Sequence, residues 1–267
     1  MNKGKVELGR MSVFGHLRDL RRALLISGIA VLGATALILG LWQDQLLRFV
    51  ISPLREYNVT LVNIGLPEAF FAKFKVSLLA GMLLSLPVIC WQVWSFLAPA
   101  LLKSERRILM VLGPLSVVLF LLGAAFAYWG VFRYAAKFLL IIAGEDIKPM
   151  LSVGQYVSFL VSFLIPFGVI FELPLVSFFL SRLELLTPGW LRRNRKYAIL
   201  GIFVLAAVLT PTTDMISQFM MAGPMMVLYE ASIVVSRLSS PRRKLASRPV
   251  RAARFGRRRG DGTAKEA

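Results

Sequence analysis

Apolar residues gather along this chain in six runs: Ala23 to Trp42, Val76 to Leu97, Ile108 to Val131, Tyr156 to Leu180, Tyr197 to Leu209 and Met215 to Val235. A helix needs about 20 apolar residues to cross a hydrocarbon core of about 30 Å. Five runs meet that length. The fifth in order, Tyr197 to Leu209, covers only about 20 Å at the helical rise of 1.5 Å per residue. The polar stretch TPTTD, Thr210 to Asp214, separates the last two runs and predicts a tight turn. Pro87, Pro166, Pro174 and Pro224 lie inside runs. Such prolines are tolerated where neighbouring helices satisfy the freed backbone groups.

The pattern predicts an all-α integral membrane protein with six transmembrane helices. It divides the chain into an N-terminal segment 1–22, a membrane domain 23–235 and a basic tail 236–267. Composition agrees: mean hydropathy is +0.69 and 57% of residues are hydrophobic, too apolar for an ordinary soluble domain of 267 residues. The segments between the first and second runs and between the third and fourth runs carry further apolar pieces. LLRFVISPL and LPEAFFAKF lie between Gln43 and Lys75, and YAAKFLLIIAG lies between Arg133 and Gln155. These are expected to form short helices on the outer surface or capping the bundle. The tail is rich in Arg, Pro, Ser and Gly and is expected to be disordered; its charge would hold it near anionic lipid.

Net charge is +18, from 32 Lys and Arg against 14 Asp and Glu. So basic a balance often points to nucleic acid. Here the cations lie between and after the apolar runs, so membrane topology accounts for them and no nucleic-acid partner is expected. With six spans, 25 of the cations fall on the side of the two termini and 7 on the other; without the tail the split is 14 against 7. By the positive-inside rule both termini of this multi-pass protein are cytoplasmic. The basic front and Arg21–Arg22 also look like a cleaved export signal. The first run is too long for that and no A-x-A-like site follows, so a retained helix is expected. One cysteine, Cys90, and one histidine, His16, exclude an intrachain disulfide and any metal-site spacing.

Polar residues in unusual places are the candidates for chemistry. Asp19 stands among Arg18, Arg21 and Arg22 in MSVFGHLRDLRRALL, and Glu105 among Lys103, Arg106 and Arg107 in WSFLAPALLKSERR. Either carboxylate could be a local ion-pair partner, for example Asp19 with Arg22, which would contribute little, or a ligand-selective acid. Glu172 lies about two thirds along the fourth run, where a carboxylate must be protonated, paired or facing water. It serves either as a structural contact between helices or as a polar spot on a concave or partner-facing surface. Pro174, two residues on, predicts a bend. Asp214 opens the last run with Gln218, and a negative charge there favours the helix dipole. Glu230 is expected to be an interfacial charge near Arg237.

Four stretches resemble the TatC family, the multispanning subunits of the twin-arginine protein translocase. They are SVFGHLRDLRR (Ser12 to Arg22), Lys75 to Arg107, FGVIFELP (Phe167 to Pro174) and LTPTTDMISQ (Leu209 to Gln218). They occur in order over roughly residues 12–235 and leave the tail uncovered. The resemblance implies a concave six-helix bundle. It also implies that two acids of the face carrying the termini recognise the consecutive arginines of a folded cargo's signal peptide. These carry over to Asp19 and Glu105, with Phe96 on the same surface and His16, Leu17 and Leu20 positioning it. The family usually has Glu where this chain has Asp19, one methylene shorter. Glu172 then resembles the family's intramembrane acid. Gln218, with Asp214 beside it, resembles a polar position contacting single-span TatA/TatB-type partner subunits. Pro53, Pro87 and Pro99 resemble shape-setting prolines. Self-association in a larger complex, no cofactor and transport driven by the protonmotive force are likewise implied.

The competing expectation is a proton-coupled small-molecule secondary transporter built around Glu172. No repeat of fixed period supports it. An enzyme has little support, because no nucleophile–base arrangement, phosphate loop or metal cluster is visible in the sequence.

Overall fold

A computed structural model describes residues 13–55, 61–98, 106–142, 150–210 and 214–239. The basic segment and the first apolar run form one helix, α1 (Val13–Leu41), of 29 residues. It begins ten residues before the apolar run because no proline interrupts Val13 to Arg22, and the Leu and Arg residues from Leu17 on are sound helix formers. At about 43 Å it is longer than the hydrocarbon is thick, and His16 and Asp19 lie in its first two turns.

A short helix, α2 (Gln43–Arg55), follows with Pro53 inside it. It is tied to the next helix by Asp44 and Lys73, 2.7 Å apart. The Lys73 hydrogen bond and charge lower the Asp44 carboxyl below its ordinary value of 3.8. The chain next runs through the two-residue strand β1 (Leu61–Val62) into α3 (Glu68–Leu84). After Ser85, α4 (Leu86–Leu97) continues the crossing, with Pro87 in its first turn where the missing N–H costs nothing. The third crossing is α5 (Arg106–Ala125), a π-helical stretch Phe126–Phe132, and α6 (Arg133–Ile142). Strand β2 (Leu151–Ser152) pairs in parallel with β1, Leu61 opposite Leu151 and Val62 opposite Ser152. The fourth crossing is α7 (Val153–Phe171) and α8 (Leu173–Arg182), broken at Glu172. The chain closes with α9 (Pro188–Arg193), α10 (Arg195–Leu209) and α11 (Met215–Ser239).

Among the described residues, five stretches have the length and composition to cross a membrane: Gly15–Leu41, Glu68–Leu97, Met110–Phe138, Val153–Arg182 and Met215–Ser239. The sixth expected span, α10, has 15 residues and reaches about 22 Å. Two of the three expected surface helices take another form. LPEAFFAKF is the start of α3, and YAAKFLL belongs to α6, continuous with α5. Neither is set off by a helix breaker, so the crossing helices simply extend outward through them. Only LLRFVISPL stands as a separate helix, within α2.

The core centres on α7, which packs between α3 and α5. Phe132, Phe163 and Phe167 are fully buried. Phe132 of the π-helical stretch meets Tyr156 edge-on at 5.3 Å and tilts against Phe159 at 5.5 Å. Glycines set the closest helix approaches. A Cβ on Gly81 of α3 would meet the Thr35 backbone nitrogen of α1 at 2.7 Å, and one on Gly123 of α5 would meet the Phe167 carbonyl at 2.6 Å. In lipid, where apolar burial does not drive helices together, this close packing is the main attraction.

The loop before α3 is held by Glu68. Its Oε2 accepts from the backbone N–H groups of Ile64 (2.8 Å) and Gly65 (3.3 Å). Its Oε1 accepts from the Gly154 N–H at 2.8 Å and from the Ser152 hydroxyl. One carboxylate thus joins β1, α3, β2 and the start of α7.

Candidate functional site: a groove between α1 and α4

A helix places residues three and four apart on one face. Along α1, Asp19, Arg22, Ala23 and Ile26 follow that spacing; along α4, Trp91, Gln92, Ser95 and Phe96 do. The two faces line an open groove of about 400 Å³, within the range of small-ligand sites. At its mouth the His16 and Phe96 rings stack, centroids 4.2 Å apart and planes 21° from parallel. Three of the residues singled out from the sequence, Asp19, Phe96 and His16, therefore meet at one place although 80 positions separate His16 from Phe96.

The other side of α4 is fixed. Trp94 is buried, donates its indole N–H to Ser116 Oγ of α5 at 2.8 Å, and meets Phe179 of α8 edge-on at 5.1 Å. With its inward face held by α5 and α8, α4 turns Trp91 and Ser95 toward the groove. Asp19 is exposed and makes no ion pair among the described residues. The local pairing with Arg22 entertained from the sequence is absent; both side chains line the groove instead. Asp19 is left with open acceptor oxygens facing a concave surface. Leu17 and Leu20 are exposed on the same helix. Glu105 and Pro99 lie outside the described residues.

The intramembrane acid lies elsewhere. Glu172 sits between α7 and α8, half-buried beside Ser116 and Cys90, and its Oε1 is buried without a hydrogen-bond partner. Ser116 therefore stands between the Trp94 indole and this carboxylate, linking α4, α5 and the α7–α8 break. Glu172 lies outside the groove lining.

The polar residues of the last span turn inward. Asp214 Oδ2 accepts from the Ser217 N–H at 2.6 Å, capping α11 as its place before a helix predicts. Gln218 Nε2 donates to the Phe203 carbonyl of α10 at 3.0 Å, joining the last two helices. Glu230 pairs with Arg195 of α10 at 2.6 Å, and Arg237 lies two turns further along α11. Helical periodicity puts residues 230 and 237 on one face, yet α10 brings Arg195 within direct reach.

The sequence reading passed over Ala23, Ile26, Trp91, Gln92 and Ser95. The signal was present as the one-turn spacing from Asp19 and Phe96, but apolar and small residues on a membrane helix look alike whether they face lipid or a groove.

Comparison with known proteins places this architecture. A sequence model of the family described as Sec-independent protein translocase protein (TatC) matches residues 15–224. The protein of that name from Carboxydothermus hydrogenoformans is 41% identical over 232 residues, covering 87% of this chain and 95% of the relative. The one from Desulforapulum autotrophicum is 40% identical over 226 residues, covering 84% and 83%. The crystal structure of a twin arginine translocase receptor, TatC, superposes with a TM-score of 0.77 at 37% identity, over 84% of this chain and 99% of that one. The matched residues include α1 with Asp19, α4 with Phe96 and the α7–α8 break, and on this agreement of sequence and fold the chain belongs to the TatC family of Sec-independent protein translocase proteins.

Proposed function

We propose that this chain is the receptor and scaffold subunit of a twin-arginine translocase, and that the groove between α1 and α4 receives the consecutive arginines of a signal peptide. As a translocase-family member it is a translocation subunit rather than an enzyme. The observation that carries the assignment of the site is the meeting of Asp19, Phe96 and His16 around one open cavity. A carboxylate accepts two parallel, charge-assisted hydrogen bonds from a guanidinium, which a lysine ammonium cannot reproduce. The Phe96 ring offers an apolar and π-rich wall beside that charge. Glu105, which directly precedes α5 in the sequence, supplies the second acid.

In this reading both termini are cytoplasmic and the protein sits in the bacterial inner membrane. Single-span TatA/TatB-type subunits dock on the membrane domain and complete a pathway driven by the protonmotive force. Glu172, with a buried and unpartnered carboxylate oxygen, is the candidate polar contact for such a helix. An interhelical hydrogen bond there contributes about 1 kcal/mol.

The test is crosslinking of signal peptides to membranes containing the full chain. An Arg-Arg peptide is compared with a Lys-Lys peptide on wild type, Asp19→Asn and Glu105→Gln. Binding that requires both arginines and weakens at least tenfold in each variant supports the receptor. Equal binding of both peptides, untouched by either substitution, removes the role from the groove. Proton-coupled transport sensitive to Glu172→Gln would then become the reading to pursue.

A further inference from the structure

The corner where α9 meets α10 presents charge that the fold does not use. Arg192, Arg193 and Lys196 are exposed, and among the described residues none of the three makes an ion pair. Their neighbour Arg195 is already committed to Glu230. Two large aromatic side chains flank the cations: Trp190 is 58% and Tyr197 62% exposed, and the Lys196 ammonium lies 5.0 Å from the centre of the Tyr197 ring.

This corner is held in place. The Tyr229 hydroxyl of α11 donates to the Leu191 carbonyl at 2.8 Å, Leu191 is buried, and the Asn194 amide donates to the Trp190 carbonyl at 3.0 Å. With the Arg195–Glu230 pair, α11 grips the elbow on both sides of Asn194. The cations are therefore displayed on a fixed frame rather than on a free loop. Location completes the picture. They straddle the joint between α9 and α10, and α10 at about 22 Å is shorter than the hydrocarbon. A short span draws its flanking residues inward toward the headgroups, and Trp and Tyr favour that same layer.

We propose that the α9–α10 elbow is a binding site for anionic phospholipid, with Arg192, Arg193 and Lys196 holding the headgroup phosphate and Trp190 and Tyr197 seated beside the upper acyl chain. A charge serving only to orient the chain could sit anywhere in its connection. Here three cations, two rings and a double anchor to α11 coincide. The inference does not depend on the signal-peptide groove, nor on which leaflet the elbow meets.

The test uses the full chain in nanodiscs of phosphatidylcholine with or without phosphatidylglycerol. Thermal midpoint and protein-retained phosphatidylglycerol are read for wild type and for Arg192→Gln/Arg193→Gln/Lys196→Gln. Both proteins keep the basic tail, so their difference reports the elbow. Wild type is expected to gain stability with phosphatidylglycerol. The triple variant should match it in pure phosphatidylcholine and bind phosphatidylglycerol at least tenfold more weakly, since each cation near a lipid surface adds appreciably to the attraction. Equal retention by both proteins overturns the proposal. So does equal stabilisation of wild type in detergent by inorganic phosphate, which would make the site one for a free anion. If the triple variant is unstable without anionic lipid, Trp190→Ala/Tyr197→Ala decides: retention reduced severalfold supports the site, and unchanged retention overturns it.

Discussion

Asp19 shows how much a single side chain's meaning depends on its neighbours. Among arginines in the sequence it reads equally as an ion-pair partner. On the surface of α1, beside Phe96 and without an ion-pair partner among the described residues, it has acceptor capacity to spare. The His16–Phe96 stack is the other half of that site. Such ring pairs contribute about 0.5–1.5 kcal/mol, so His16→Ala should lower thermal stability slightly and, by freeing the Phe96 ring that walls the groove, weaken signal-peptide binding as well. Peptide titration beside a melting curve measures both. An unchanged affinity would confine His16 to packing. Glu68 is the opposite case, a carboxylate whose oxygens are all engaged. Glu68→Gln replaces one accepting oxygen with a donor that faces other donors. It should loosen the junction and raise hydrogen exchange at residues 61–66 and 151–155 together. Exchange rising in only one of those segments would deny that Glu68 couples them.

Helices here are joined by close contact at a few small residues. An added methyl group at Gly81 or Gly123 would press on backbone, at Thr35 N and Phe167 O respectively, and backbone inside a packed pair cannot step aside. Gly81→Ala and Gly123→Ala should each destabilise by about 1–3 kcal/mol. Gly201→Ala on the exposed face of α10 meets nothing within 4 Å and should leave stability unchanged. Unfolding in mild detergent compares the three, and equal effects would mean that close approach is not what holds α1 to α3. The tie between α2 and α3 is electrostatic and has a sign. Asp44 is lowered by Lys73, so its contribution is present above the ordinary carboxylate value and is lost as pH falls through the lower folded value. Exchange protection of α2, corrected for intrinsic rates, should decline below about pH 4. Asp44→Asn should show the weaker protection at every pH.

For the whole molecule the first question is orientation. With both termini on the cytoplasmic side, a cysteine replacing Ser247 in the tail should react with a membrane-impermeant maleimide only after cells are opened. One replacing Ser52, on α2 beyond the first span, should react in intact cells. Cys90 is buried and adds little background. The reverse pattern would invert the topology and place the groove on the wrong side for cargo that is exported.

Apolar run length needs only the thickness of the bilayer and the helical rise to be converted into spans. Five long crossings, the shortness of α10, and the uneven charge that points to an orientation were therefore legible from residue order alone. So were the bend near Pro174, because a missing N–H acts locally, and the place of Asp214 at the opening of a helix. Residue types also marked Asp19, Glu172 and Phe96 for attention. Which of them share a site was not legible, since Asp19 and Phe96 meet only through the packing of α1 against α4, while Glu172 faces Ser116 and Cys90 elsewhere. Partner choice was equally hidden for Glu230, claimed by Arg195 across helices, and for Gln218, turned onto the Phe203 carbonyl. Neither the Glu68 junction nor the bare cations of the α9–α10 elbow could be seen in one dimension. A hydrogen bond or an unmet charge is a property of distances, and distances between helices are set by how their small residues let them approach.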